Sequence, residues 1–231
     1  MSDLADLSRR VRMAGRALAR AGLVHAYGHC SQRIDERSFL VSPPKPLGLV
    51  GVGETCSVVP LDGPLPEGVL GEVRIHREIY RLRPDVKGVI RSTPHKSMTL
   101  GAMRLTPKAR YGYGAYFAPQ PPLWDNPRLL RSDELTVRLA QTLGKASAIF
   151  MRGNGLVTAG SSVEEAVVLT WYAEDAARVE LEFLAANMQD VGILSDDDIE
   201  SRVTWAGRIR ERMWEYLTAG DPEEQPGPAN F

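Results

Sequence analysis

The stretch Leu70–His95, LGEVRIHREIYRLRPDVKGVIRSTPH, constrains the fold more than any other part of the chain. Val73, Ile75, Ile79 and Tyr80 recur at helical spacing, and Arg83-Pro84-Asp85 ends that helix, because a proline pushes the residue before it out of the helical region. The β-branched run Val86–Ile90 then reads as a buried strand that delivers Arg91, Ser92, Thr93 and His95 to its end. Glu72 and His76 stand four residues apart, so they are expected on one helix face, close enough to hydrogen-bond or to share a ligand. Helix, breaker, strand and polar strand end is the arrangement by which α/β proteins bring a site together.

The elements around this unit follow the same logic. Leu4, Leu7, Val11, Ala14, Leu18 and Ala21 define an amphipathic first helix closed by Gly22. Strands are expected at Ser38–Ser42, Cys56–Leu61 and Ala146–Met151, the last turning through Arg152-Gly153-Asn154-Gly155 into Leu156–Thr158. Helices are expected at Lys96–Met103, at Glu134–Leu143 between a Ser132 or Asp133 cap and Gly144, and at Val163–Asn187 behind a Ser162/Glu165 capping box. Asp196-Asp197-Asp198 reads as the cap of a last helix, Ile199–Leu217, and lacks the spacing of a calcium loop. The closing Asp221–Phe231, rich in proline, glutamate and glycine, reads as disordered or draped over a neighbour. The expected organisation is one domain over residues 1–195, with a C-terminal helix and tail (196–231) packed on it or on a neighbouring subunit.

Composition removes several function classes. With 28 basic and 29 acidic residues the formal net charge is −1, so no bulk field favours nucleic acid or an acidic membrane. No apolar run approaches the ~18 residues of a membrane span, and the N-terminus carries no signal-peptide pattern, so a cytoplasmic protein is expected. The two cysteines, Cys30 and Cys56, do not make a disulfide scaffold.

The pattern Glu72-x3-His76-x3-Tyr80 followed by Arg83-Pro84-Asp85-Val86 and a strand resembles the class II aldolase/adducin family. The opening of the chain fits as well: where the family usually reads Gly-Asn-x-Ser-x-Arg, this chain reads Gly28-His29-Cys30-Ser31-Gln32-Arg33. Together with Arg152-Gly153-Asn154-Gly155, the Gly-His pair is similar to the decarboxylase-like branch rather than the sugar-phosphate aldolases. Two phosphate elements of those aldolases are replaced here, by Pro43-Pro44-Lys45-Pro46 and Leu70-Gly71, and prolines offer no N–H donors to a phosphate. The resemblance implies a three-layer α/β/α sandwich with the fuculose-phosphate aldolase-like fold. It also implies a homotetramer with active sites between subunits and a glutamate, Glu72, acting as acid or base beside a divalent metal.

The family's metal histidines align with Arg91, Thr93 and Asn154, so the resemblance and the residues agree on the place of the site and disagree on the metal. A permanently charged guanidinium repels a divalent cation, and no metal or other cofactor is expected. A rearranged zinc, manganese or iron site built from Glu72, His76 and His95 with His29 is the alternative. Without metal, Arg91 is placed to pair with a carboxylate or phenolate, Thr93, His95 and Asn154 to hydrogen-bond it, and Lys45 to hold a carboxylate as a point charge. Glu72, His76 and His29 are then the acid/base candidates. Tyr113 and Tyr116, in the aromatic stretch Tyr111–Trp124, suit a flat substrate, and in this family a phenol from a neighbouring subunit serves as proton donor.

The expected activity is that of a carbon–carbon lyase acting on a small aromatic or ring-fission-derived catabolite with loss of carbon dioxide. Release of formaldehyde from a phenolic substrate, the aldehyde-lyase form of the chemistry, is one alternative. A non-catalytic interaction module like the adducin head is the other.

Overall fold

The computed structural model describes residues 4–224. In chain order the elements are α1 (Leu4–Arg20), β1 (His29–Arg33), β2 (Ser38–Val41), β3 (Ser57–Pro60), α2 (Arg74–Leu82), β4 (Gly88–Ser92), α3 (His95–Ala102), β5 (Leu123–Trp124), α4 (Asp133–Leu143), β6 (Ala148–Met151), β7 (Gly155–Gly160), α5 (Val163–Ala185), α6 (Asp196–Arg202) and α7 (Ile209–Thr218). The strands form one seven-stranded sheet in the order β3-β2-β1-β4-β7-β6-β5. Every pairing is antiparallel except β5 with β6.

Because side chains alternate along a strand, each apolar strand supplies both faces of the sheet. Phe39, Val89, Ile149 and Val157 pack with Ile75 and Ile79 of α2 and Leu139 and Leu143 of α4. Their neighbours Leu40 and Ile90 pack under α1 and the start of α5. Phe150 and Leu156 pack with Leu100 of α3 and Val168, Leu169 and Tyr172 of α5. Two helical layers around a central sheet make the expected α/β/α sandwich.

Local chemistry sets most boundaries where the sequence places them. Gly22 (φ 70°) follows α1, Ser132 Oγ accepts from Leu135 N at the start of α4, and Gly144 (φ 54°) closes that helix. At α5, Ser162 accepts from Glu165 N, but the Glu165 carboxylate returns to Ser161 instead of completing a capping box. Two expectations fail. The last helix is broken: α6 starts behind Ser195, which forms a capping box with Asp198, and the chain kinks through Gly207 (φ 68°) before α7 begins. The aspartate run is therefore the first turn of a short helix and not the cap of a long one.

The segment from Asp221 to Glu224 is likewise not a free tail. Arg16 donates to Asp221 at 2.7 and 2.8 Å and to Glu223 at 2.7 Å, and Arg12 donates to Glu223 at 2.9 Å, so the end of the described chain is clasped to α1. Burial raises the Glu223 carboxyl, but the hydrogen bonds from Arg12 and Arg16 outweigh it and hold the group down at about 2. The rest of the expected tail lies outside the described residues.

Close approach requires glycine at the start of β7. Gly155 begins β7 at φ 91°, and a Cβ there would overlap the Ser92 carbonyl of the adjacent strand. Gly155→Ala is therefore expected to cost about 2 kcal/mol from backbone strain alone. Denaturant titration of the variant checks this, and an unchanged midpoint would show that the β4–β7 contact yields freely.

Candidate active site

The strand directions bring one set of ends together. His29 opens β1, β2 ends at Val41 just before Pro43, β4 ends at Ser92, β6 ends at Met151, β7 begins at Gly155 and β5 ends at Trp124. Arg91 and His29 are register partners across β1 and β4, so their side chains share a sheet face. It is the α2 face, because Ser31, two residues on from His29, bonds His76 and Tyr80 of α2. Ser92 points to the opposite face and lies outside the site. Gly28 permits the packing here: a Cβ on it would overlap Val24 and crowd the Arg91 carbonyl, so its role is close approach more than turning.

Glu72 is not on the helix with His76. It sits in a 3-10 turn, Gly71–Val73, because α2 starts only at Arg74. The turn carries its carboxylate to Arg91, with Oε2 3.6 Å from Arg91 Nη2. Arg91 Nη1 also donates to the Tyr27 carbonyl at 3.2 Å, while Arg91 Nε is buried without a hydrogen-bond partner in the protein. The guanidinium, only 6% exposed, is thus held at two points and left unsatisfied at a third.

His76 pairs elsewhere. Its Nδ1 lies 2.6 Å from Ser31 Oγ and its Nε2 2.6 Å from His29 Nδ1, and the residue is fully buried. Ser31 Oγ in turn lies 2.7 Å from Tyr80 Oη. Burial, and secondarily Arg91, depresses the His76 pKa to about 3. Burial, then His76 and Arg91, holds His29 well below the usual imidazole range. Both rings are therefore neutral at pH 7, and His76 has no ring nitrogen left for a substrate. Of the pair, only His29 Nε2 is free: it is buried and lacks a partner in the protein. Of the acid/base candidates, Glu72 and His29 are within reach of a ligand, and His76 acts only through His29.

The remaining candidates divide in two. Thr93 follows directly on β4, and Asn154 occupies the β6–β7 turn against that strand end. The Asn154 amide donates to the Arg128 carbonyl at 2.9 Å, which commits its nitrogen to the loop. Beyond it Trp124, Asp125, Arg128, Arg138 and Arg152 line an open cleft of about 460 Å³ at the same sheet end.

Lys45 follows β2 at this end but is paired with Glu54 at 3.0 Å instead of being free for a carboxylate. His95 is exposed at the first position of α3. Tyr113 stacks on Tyr172 of α5 (ring centroids 4.4 Å apart), and Tyr116 donates to the Thr204 carbonyl. Both tyrosines stand on the α5 side of the sheet, away from Glu72 and Arg91 of the same chain. Sequence reasoning misses Ser31 and Tyr80 as parts of the site. Apolar spacing accounts for Tyr80 as a pattern residue, although its hydroxyl in an otherwise apolar helix stripe is the available signal.

A divalent ion does not fit this donor set. Arg91 already takes the Glu72 carboxylate, the facing nitrogens of His29 and His76 are spent on each other and on Ser31, and His95 is exposed at the start of α3. Among the described residues no group of three or more His, Cys, Asp or Glu side chains is placed to hold a metal ion. The rearranged set of Glu72, His76 and His95 with His29 is not assembled.

The profile described as Class II Aldolase and Adducin N-terminal domain matches residues 9–181. The chain belongs to this family. Among family relatives it is similar to a 3,4-dihydroxyphthalate decarboxylase from Arthrobacter keyseri, 29% identical over 197 residues that cover 76% of this chain and 78% of that protein. A protein of the same name from Terrabacter sp. (strain DBF63) is 27% identical, with 80% and 84% covered. The fold matches L-fuculose-1-phosphate aldolase from Thermus thermophilus with a TM-score of 0.71 at 25% identity, over 79% of this chain and 96% of that one. An aldolase II superfamily protein from Pseudomonas syringae matches with a TM-score of 0.75 at 21% identity, over 94% and 92%. The expected fold and the decarboxylase-like branch are both borne out. Among the described residues no helix is long and apolar enough to cross a membrane.

Proposed function

We propose that this protein is a metal-independent carbon–carbon lyase that removes carbon dioxide from a hydroxylated aromatic acid. The observation that carries the reading is the Arg91–Glu72 pair standing over His29, with Arg91 Nε and His29 Nε2 both buried and unsatisfied. Buried polar atoms without partners are costly, and a ligand bearing oxygen atoms would satisfy them. Similarity to proteins named for decarboxylating a dihydroxyphthalate gives that ligand its chemical class.

In this mechanism Arg91 pairs with a phenolate or a second carboxylate of the substrate and keeps the negative charge of the ring neutralised. Once the substrate anion has taken Arg91 from it, Glu72 relays a solvent proton to the ring carbon that bears the departing carboxylate. The C–C bond then breaks, its electrons restore the aromatic ring, and carbon dioxide leaves. Glu72 regains its proton from solvent, so each turnover consumes one proton and replaces a carboxylate by hydrogen. We further propose that the protein works as a homotetramer in which Tyr113 or Tyr116 of an adjoining subunit covers the substrate, since within one chain both face away.

The deciding experiment incubates the purified protein with 3,4-dihydroxyphthalate and with mono-carboxylated catechols, following carbon dioxide and product mass. Loss of one carboxylate, undiminished after dialysis against chelator, is the expected result. Formaldehyde in place of carbon dioxide would transfer the site to retro-aldol cleavage. Activity that disappears with chelator and returns with zinc or manganese would overturn the metal-free reading.

A further inference from the structure

We infer that His29 acts on the substrate as a fixed N–H donor and not as a base, and that Tyr80, Ser31 and His76 are positioning residues that set its tautomer. The inference rests on the proposed oxyanion-binding role of Arg91 and deepens it.

Four groups are joined in series. Tyr80 Oη lies 2.7 Å from Ser31 Oγ, Ser31 Oγ 2.6 Å from His76 Nδ1, and His76 Nε2 2.6 Å from His29 Nδ1. Two neutral imidazoles with facing nitrogens hold one proton between them, so the chain has two ordered states of equal charge. In the first, Tyr80 donates to Ser31, Ser31 to His76 Nδ1, and His76 Nε2–H to His29 Nδ1. His29 then carries its proton on Nε2, the atom that faces the site. In the second every bond is reversed, and His29 Nε2 presents a lone pair.

The two ends of the chain decide between them once a ligand is bound. In both states three protons sit in the contacts of 2.6 and 2.7 Å, and the first leaves His29 Nε2–H without a partner in the protein. The second obliges either Tyr80 to donate to the Lys87 carbonyl at 3.4 Å or Ser31 to donate to the Val89 carbonyl at 3.5 Å, both well beyond a good O–H···O length. Tyr80 is 1% exposed and Ser31 0%, so no solvent replaces the missing bond. A substrate oxyanion beside Arg91 accepts from His29 Nε2–H, so in the complex every proton of the first state has a good contact and that state is preferred. His29 Nε2–H and the Arg91 guanidinium then form a two-donor seat for a carboxylate or phenolate. Glu72 is left as the group that moves a proton.

The test has a spectroscopic and a kinetic arm. In protein labelled with 15N-histidine and saturated with phthalate as an inert dianion, with His29 identified by the signals lost in His29→Asn, both His29 and His76 are expected to show a protonated Nε2 and a bare Nδ1 at pH 7. Protonated Nδ1 on both rings in the phthalate complex would overturn the inference, whether or not the protein decarboxylates anything.

For the kinetic arm, Ser31→Ala removes the group that orients His76, and kcat/KM is expected to fall by about a hundredfold, the scale of one lost oxyanion donor. Tyr80→Phe leaves the Ser31 hydroxyl in place and should cost only a few-fold. His29→Asn supplies an amide N–H that has no tautomer, so adding Ser31→Ala to it should produce little further loss. A purely structural role for Ser31 predicts full additivity instead, and that outcome also sinks the proposal.

Discussion

Arg91→Ala is expected to lower kcat/KM for a hydroxylated aromatic acid by about a thousandfold, equivalent to ~4 kcal/mol of lost transition-state stabilisation. Three effects add. The substrate loses its cationic partner in a site that is almost closed to water, where a charge-assisted hydrogen bond is worth more than at the surface. The Tyr27 carbonyl loses the Nη1 donor that ties the chain before β1 to the end of β4. Glu72 also loses the cation 3.6 Å from its carboxylate. Arg91→Lys should recover only part of the activity, because an ammonium cannot serve Tyr27, Glu72 and the ligand with one planar fork. Steady-state kinetics with a matched thermal melt separates lost chemistry from lost fold, and an Arg91→Ala protein of wild-type activity would refute the assigned site.

Acidification from pH 7 to pH 5 is expected to remove several kcal/mol of folding stability before most carboxylates titrate. His29 and His76 are neutral and buried, with folded pKa values far below the ordinary value of 6.5. Below pH 6.5 the unfolded chain binds protons that the folded chain refuses, so stability is complete above that pH and falls as pH drops. For His76 the loss continues down to about pH 3, where the folded state would itself take the proton. One such histidine costs about 2 kcal/mol between pH 6.5 and 5, and two cost roughly twice that. Glu223 has the carboxylate pattern: its contribution is present above about 4.5 and lost as pH falls toward 2, so the two causes occupy different windows. Urea titrations at pH 7, 6 and 5 read the histidine window directly. A flat midpoint across that range would mean that the imidazoles protonate in place.

How much of this was legible beforehand depended on how local the cause was. Apolar spacing and caps located α1, α4 and α5, and short apolar runs located β4 and β6. The Arg83-Pro84 breaker separated α2 from β4 without any tertiary information. The long C-terminal helix failed because α6 ends at Arg202 with Val203 extended and left-handed Gly207 and Arg208 precede α7, although an apolar stripe continues through the break. The pairing of Glu72 with His76 failed for a related reason. Spacing of four residues places two side chains together only if both lie on the helix, and the helix started two residues after Glu72.

The sequence by itself determined the family, the layering of the fold and the short list of residues from which a site could be built. The family follows from a motif confined to contiguous residues, and the layering and much of the list come with the family that motif resembles. Only the tertiary structure decided which members of that list meet. Antiparallel pairing of β1 with β4 set His29 beside Arg91, the turn before α2 sent Glu72 to Arg91, and Ser31 and Tyr80 captured His76. Each of these contacts joins residues distant in the chain through a register, and a side chain's protonation and partners depend on the burial that such a register creates.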